Sequence, residues 1–245
     1  TLIGGANCEG EMAEGILSLS DSIDYIFSGE SEEAFGDFLD RYSRGELPGE
    51  KIVRGQPVEN MDELPTPVFQ SYLEQLDTFL GDEKPKDIAI AYESSRGCWW
   101  GQKHRCRFCS LTNERFRQKS AAKVLDDLEQ LNRRYPGKRI EMTDNIMPHS
   151  FHKDVFPRLL GKNHSNVIYF LKANLKLKQM IDLRSANVDI IVPGIEALSE
   201  GALKLLHKGV GIKEILNLLR YARSLGIYVY WHILWGIPGD KAEHY

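Results

Sequence analysis

The feature that most narrows the fold is an alternation that begins near residue 88. Short β-rich runs at 88–92, 139–142, 167–171, 188–192 and 227–234 alternate with longer amphipathic stretches. Ser120 stands in N-cap position ahead of Val124, Leu125, Leu128 and Leu131, and Ile212, Ile215, Leu216 and Leu219 recur at helical spacing until Gly226 stops them. Strands separated by helices run parallel, because each helix returns the chain to the same end of the sheet. The expected class is therefore α/β. Open doubly wound sheets and β/α barrels share this local pattern, and in both the ligand collects at the C-terminal ends of the strands.

The first 47 residues read as strand 1–3, a Gly4-Gly5 turn, a helix, strand 25–27, a turn at Gly29-Glu30 and a helix over 32–42. That is the second half of an open α/β sheet. Five of the ten prolines then fall between Pro48 and Pro85, where the only regular pattern is a short amphipathic stretch at 69–80. The expected organisation is a partial α/β domain over 1–47, a linker over 48–85 and a second domain over 86–245. The chain opens inside a β-like run and stops just after a strand and turn, so both ends read as cut.

Charge separates the same regions. The net charge of −4 divides into −9 over residues 1–47, which carry 11 acidic and 2 basic side chains, and +5 over the rest. The densest positive stretch, Arg96 to Lys119, coincides with three cysteines, so its charge has a local use and nucleic acid is not needed to explain it. A chain of 245 residues with 42% hydrophobic content can bury a substantial core. No apolar run approaches the length needed to cross a bilayer, and a cytoplasmic location is expected.

Four cysteines without a secretory signal point to metal or redox chemistry rather than a disulfide framework. Cys8 stands alone and reads as a small buried residue. Cys98, Cys106 and Cys109 form a C-x7-C-x2-C array directly after the 88–92 strand, on the ligand-binding edge of the sheet. Three thiolates are one short of the four that close a structural zinc site or a ferredoxin-type cluster. On a cubane cluster the open iron can chelate a small molecule's amine and carboxylate. Zinc held by the same thiolates and a fourth donor such as His104, in a non-catalytic module, is the competing reading.

The array resembles the cluster loop of radical S-adenosylmethionine (SAM) enzymes, with four more residues between the first two cysteines than the commonest C-x3-C-x2-C spacing. The resemblance implies a partial barrel of six parallel strands, of which this chain supplies five, truncated before the last. It also implies an enzyme that binds a [4Fe–4S] cluster through Cys98, Cys106 and Cys109, with SAM on the fourth iron. Reductive cleavage of SAM would yield a 5′-deoxyadenosyl radical, with flavodoxin or ferredoxin as electron donor. Phe108 would lie beside the adenine. Further matches follow at Asp144-Asn145, Lys172-Ala-Asn174, residues 193–196 with Leu198-Ser199, Lys208-Gly209 and residues 236–239. By the same resemblance Asn145, Lys172, Asn174 and Glu196 would contact SAM, and Gly236, Ile237 and Pro238 would wall the adenine.

Residues 93–101 with Lys103-His104 resemble the radical SAM proteins that mature ribosomally made peptides, which implies a precursor peptide as substrate. Gly4-Gly5 and residues 24–30 resemble the latter half of a Rossmann-like cobalamin-binding domain, with Gly4 and Gly5 against the cobalamin. The implied reaction is cobalamin-dependent C-methylation, with peptide epimerisation as the alternative. Among the tryptophans, Trp99, Trp100 and Trp231 read as packing, and Trp235 as the one facing the cofactor. Asp144 and Glu196, each following a strand, read as pointing into the ligand crevice, with capping a neighbouring helix or satisfying backbone donors as the alternative.

Overall fold

The computed structural model describes residues 1–110, 115–161 and 164–245. The chain folds as two compact units, Thr1–Asn60 and Met61–Tyr245. The first contains β1 (Leu2–Ile3), α1 (Glu11–Leu17), β2 (Tyr25–Ser28), α2 (Glu32–Ser43) and β3 (Ile52–Arg54), with a parallel sheet in the order β1-β2-β3. Cys8, Ala13, Ile23 and Ile26 form its small core, and Phe38 stacks edge-on against Tyr25 and Phe27.

The strand β3 lies in the stretch expected to be a linker. Pro48 and Pro57 flank it and leave Ile52 and Val53 free to pair with Ile26 and Phe27. Glycine follows each strand, at Gly4-Gly5, Gly29 and Gly55. At Gly29, with φ of 91°, the backbone passes so close to Gly55 that a Cβ on either residue would strike the other turn.

The second unit runs α3 (Gln70–Leu80), β4 (Ala89–Tyr92), β5 (Ser95–Arg96), α4 (Gly101–His104), β6 (Arg117–Gln118), α5 (Ala121–Arg134), β7 (Arg139–Met142), α6 (Phe151–Asp154), α7 (Phe156–Leu159), β8 (Val167–Leu171), α8 (Leu177–Ser185), β9 (Val188–Pro193), α9 (Glu200–Leu205), α10 (Ile212–Leu225) and β10 (Tyr228–Val229). Its main sheet is parallel in the order β10-β9-β8-β7-β4. Spatial order follows chain order with no reversal, so the topological switch of a doubly wound sheet is absent and the winding is that of a β/α barrel. This decides between the two architectures the alternation left open.

The helices form where the pattern places them. Ser120 Oγ accepts from Lys123 N at 3.1 Å, a cap worth about 1 kcal/mol, and turns Val124, Leu128 and Leu131 inward. In α10, Ile215, Leu218 and Ala222 are buried while Leu216 is exposed, and Gly226 ends the helix in the left-handed region. Among the described residues no helix is long and apolar enough to cross a membrane.

The strand expected over 227–234 is shorter. After Tyr230 N donates to Ile191 O at 3.0 Å, pairing lapses and resumes only where Ile233 bridges Glu196 and Leu234 N donates to Glu196 O at 2.8 Å. The cause is in β9, which ends at Pro193 and turns away before Glu196, a non-glycine residue at φ 63°.

Candidate active site

The segment between β4 and α5 leaves the C-terminal end of β4, and β5 and β6 pair antiparallel to hold its two ends together. Its root is fixed by Asp144, buried just beyond β7. The Asp144 carboxylate accepts from Ser94 N at 2.7 Å, Ser95 N at 2.9 Å and the Tyr169 hydroxyl at 2.7 Å, and also from Ser94 Oγ. Burial pushes this carboxyl up, and the four donors oppose that. Asp144 thus points at backbone, not into the crevice as its position after a strand suggested.

Beyond this root, a cavity of about 240 Å³ opens at the strand ends, and Cys98, Cys106 and Cys109 all line it. All three are free thiols. Gly101 N donates to Cys98 Sγ at 3.3 Å, and Cys109 N donates to Cys106 O at 3.2 Å, a turn that brings those two cysteines to one side. Burial pushes the Cys106 thiol up, while the Lys208 and Lys172 ammonium groups favour its thiolate.

Phe108, Asn145, Lys172 and Glu196 line the same cavity. Lys172 Nζ donates to Lys208 O at 2.9 Å and Gly209 O at 3.0 Å, and burial brings its ammonium down to about 8. Glu196 is paired with Lys208 at 3.2 Å, and Lys208 Nζ in turn lies 5.2 Å from the Phe108 ring centroid. Asn174 is exposed on the turn after β8 and does not line the cavity. Nor do Gly236, Ile237 and Pro238; Ile237 N donates to Asp240 Oδ2 at 2.9 Å in a turn whose apolar side packs on the large core.

Two more residues depart from expectation. Trp235 is 84% exposed and stands off the cavity, whereas Trp100, read as packing, lines it. A tryptophan two residues after the first cysteine of the array was the available signal for Trp100, but the side chain's direction depends on α4, which no periodicity marks. Lys208 and His232 also line the cavity; Lys208 sits in the Lys208-Gly209 match, and nothing local singles out His232.

Could these residues hold an iron–sulfur cluster? Among the described residues no three His, Cys, Asp or Glu side chains converge closely enough to grip one metal ion. A cluster whose three irons each take one thiolate spreads its ligands more widely than a single ion does, and all three cysteines line the one cavity. Cationic Lys172 and Lys208 suit an anionic thiolate cluster. The donor set therefore fits.

Comparison with known proteins agrees. The chain is 24% identical over 241 residues to an uncharacterized methyltransferase of Pyrococcus horikoshii, covering 90% of this chain and 50% of that protein. It is 25% identical over 248 residues to the hopanoid C-3 methylase of Methylococcus capsulatus, covering 94% and 46%. It thus spans about half the length of the curated relatives it matches. Among solved structures, the cobalamin-dependent S-adenosylmethionine radical enzyme OxsB with aqua-cobalamin bound superimposes with a TM-score of 0.70 at 19% identity, over 94% of this chain and 36% of that one. The radical S-adenosylmethionine methyltransferase TsrM of Kitasatospora setae, with tryptophan and a SAM analogue bound, gives 0.61 at 18% identity over 96% and 54%. These likenesses establish the fold. Residues 92–245 match the family model described as the Radical SAM superfamily, and the chain belongs to that superfamily.

Proposed function

We propose that this chain is the catalytic part of a cobalamin-dependent radical SAM methyltransferase acting on a carbon of a ribosomally made peptide. The observation that carries the reading is the convergence of Cys98, Cys106 and Cys109 with Phe108, Asn145, Lys172 and Glu196 on one cavity at the C-terminal ends of the parallel strands. When bound, a [4Fe–4S] cluster and SAM would supply one-electron cleavage of SAM, and cobalamin a transferable methyl group.

The chain's own residues have assignable parts. The three thiolates would hold the cluster. Asn145 and Glu196 would take polar groups of SAM, with Lys208 balancing Glu196. Phe108, on the loop between Cys106 and Cys109, offers its ring to the adenine. Lys172 is already engaged with two carbonyls, so its part is to shape the wall and add positive charge beside the thiolates. In the first unit, Gly5 has open space where a side chain would stand, which suits close approach of a bulky corrin.

Methylation is supported by the curated relatives, named as a methyltransferase and a methylase, and by the cobalamin-dependent solved structures. The alternative, epimerisation, commonly needs a thiol to return a hydrogen atom. Cys8, the spare cysteine in this chain, is 1% exposed and packed into the small core. The peptide rests on the resemblance of residues 93–101.

The test is anaerobic reconstitution with iron and sulfide, reduction with dithionite and addition of SAM, followed by chromatography. Formation of 5′-deoxyadenosine is expected, and transfer of a methyl group to a precursor peptide once cobalamin is supplied. A reconstituted cluster with no SAM cleavage would refute the radical SAM reading, and methylation of a non-peptide alone would refute the substrate.

A further inference from the structure

The loop between Cys98 and Cys106 is tied to another part of the fold through Trp100. Lys172 Nζ lies 3.2 Å from the centroid of the Trp100 ring, and the His104 ring stacks on the same indole at 4.2 Å with planes 30° apart. The indole N–H is buried without a hydrogen-bond partner, so ring contacts rather than a polar tether hold this side chain.

Gly209 lies where the indole packs. A Cβ there would overlap the six-membered ring of Trp100, and the φ of 60° further favours glycine. The same Lys172 ammonium donates to the carbonyls of Lys208 and Gly209, so one cation binds the indole to the 206–209 turn. Arg107 N donates to Leu206 O at 3.1 Å, a second tie between the cysteine loop and that turn.

We propose that Trp100, clasped by Lys172 over Gly209, is a positioning residue that latches the cysteine loop onto the 206–209 turn and so sets where Cys98 and Cys106 present their sulfurs. It acts through the cysteines. The short helix α4 has only four residues and cannot hold itself in place, so the loop needs an outside anchor. The inference rests on the proposed function only for what the positioned thiolates hold.

The experiment is site-resolved limited proteolysis of the apoprotein with trypsin, read by mass spectrometry at Arg105, with the exposed Lys86 as an internal control. Trp100→Ala and Gly209→Ala should each speed cleavage at Arg105 by about tenfold, because release of the latch raises the open population, and leave Lys86 unchanged. Trp100→Phe keeps an aromatic face and should restore most of the protection. Adding Gly209→Ala to Trp100→Ala should give little further increase, since both remove one contact. The same alanine variants, reconstituted, should hold less iron per chain than the phenylalanine variant.

Unchanged cleavage at Arg105 in Trp100→Ala, or protection lost equally in Trp100→Phe and at Lys86, would overturn the latch and leave the proposed function standing. A latch that behaves as described in a protein that never takes up iron would instead overturn the proposed function and leave the latch.

Discussion

The two sides of the cavity are built differently. On the cysteine side, the loop is rooted by three hydrogen bonds to buried Asp144, which also accepts from Tyr169 of β8, and is closed by the β5–β6 pair and tied to the 206–209 turn. On the opposite side, the segment after β10 has one isolated bridge to Glu196, and Tyr228, Tyr230, Ile233 and Trp235 are largely exposed. The difference shows what makes a site legible. Asn145, Lys172 and Glu196 follow the longer paired strands and line the cavity, whereas Gly236, Ile237 and Pro238 follow a two-residue strand and do not; Asn174 after β8 and His232 after β10 show that strand length is not the whole rule.

The comparison can be broken first at the cysteines. Cys106→Ala should abolish the visible absorbance of thiolate-bound iron after reconstitution, because in the proposed ligand set the three thiolates would be the protein's whole contribution to the cluster. An intact cluster in that variant would remove Cys106 from the ligand set.

The next largest effect is expected at the root. Asp144→Ala leaves Ser94 N, Ser95 N and two hydroxyls without their acceptor, at a cost of about 4 kcal/mol, read by urea denaturation. A loss below about 1 kcal/mol would show that the loop root relaxes and that the cysteine side is no better anchored than the other.

Asp127 supplies a pH-dependent contrast. Burial alone would raise its carboxyl, but hydrogen bonds from Lys123, Thr66, Lys119 and Tyr92 outweigh that and hold it below its usual value. With the folded pKa depressed, its contribution to stability is full above the unfolded value near 3.8 and is lost as pH falls through the folded one. Asp127→Asn should therefore cost about 3 kcal/mol at pH 7, with the gap to wild type narrowing below pH 4. A gap independent of pH would mean the carboxylate is not the stabilising species.

The smallest effect marks the exposed side. Trp235→Ala should change stability by less than about 0.5 kcal/mol, since the ring is 84% exposed. A larger loss would show that this side is packed more firmly than its exposure indicates.

Much of the molecule is readable from the sequence, and the misses have physical causes. The five parallel strands and the helix caps at Ser120 and Gly226 follow from local pattern; Phe108, Asn145, Lys172 and Glu196, which were implied by the family resemblance, line one cavity with the cysteines, and the three polar ones also follow the rule that ligands collect at strand ends. Strand order needed tertiary structure, because barrels and open sheets share the same alternation. The strand β3 was hidden among prolines, since three residues carry too little periodicity to stand out. Gly236, Ile237 and Pro238 were displaced from the cavity because Pro193 ends β9 before β10 can pair along its length. Asp144 serves the backbone and two hydroxyls at the loop root, and the Trp100 indole packs on Gly209 while also lining the cavity; in both cases partners 25 to 109 residues away in sequence help to set the side chain's direction.

The central claim is that Cys98, Cys106 and Cys109 hold a cluster with one iron left open to SAM. The most direct measurement is the EPR spectrum of the anaerobically reconstituted and reduced protein, recorded with and without SAM. The account predicts a [4Fe–4S]⁺ signal whose g-values shift when SAM is added and which is absent in Cys106→Ala. A signal indifferent to saturating SAM, or a protein that binds zinc in place of iron, would contradict it.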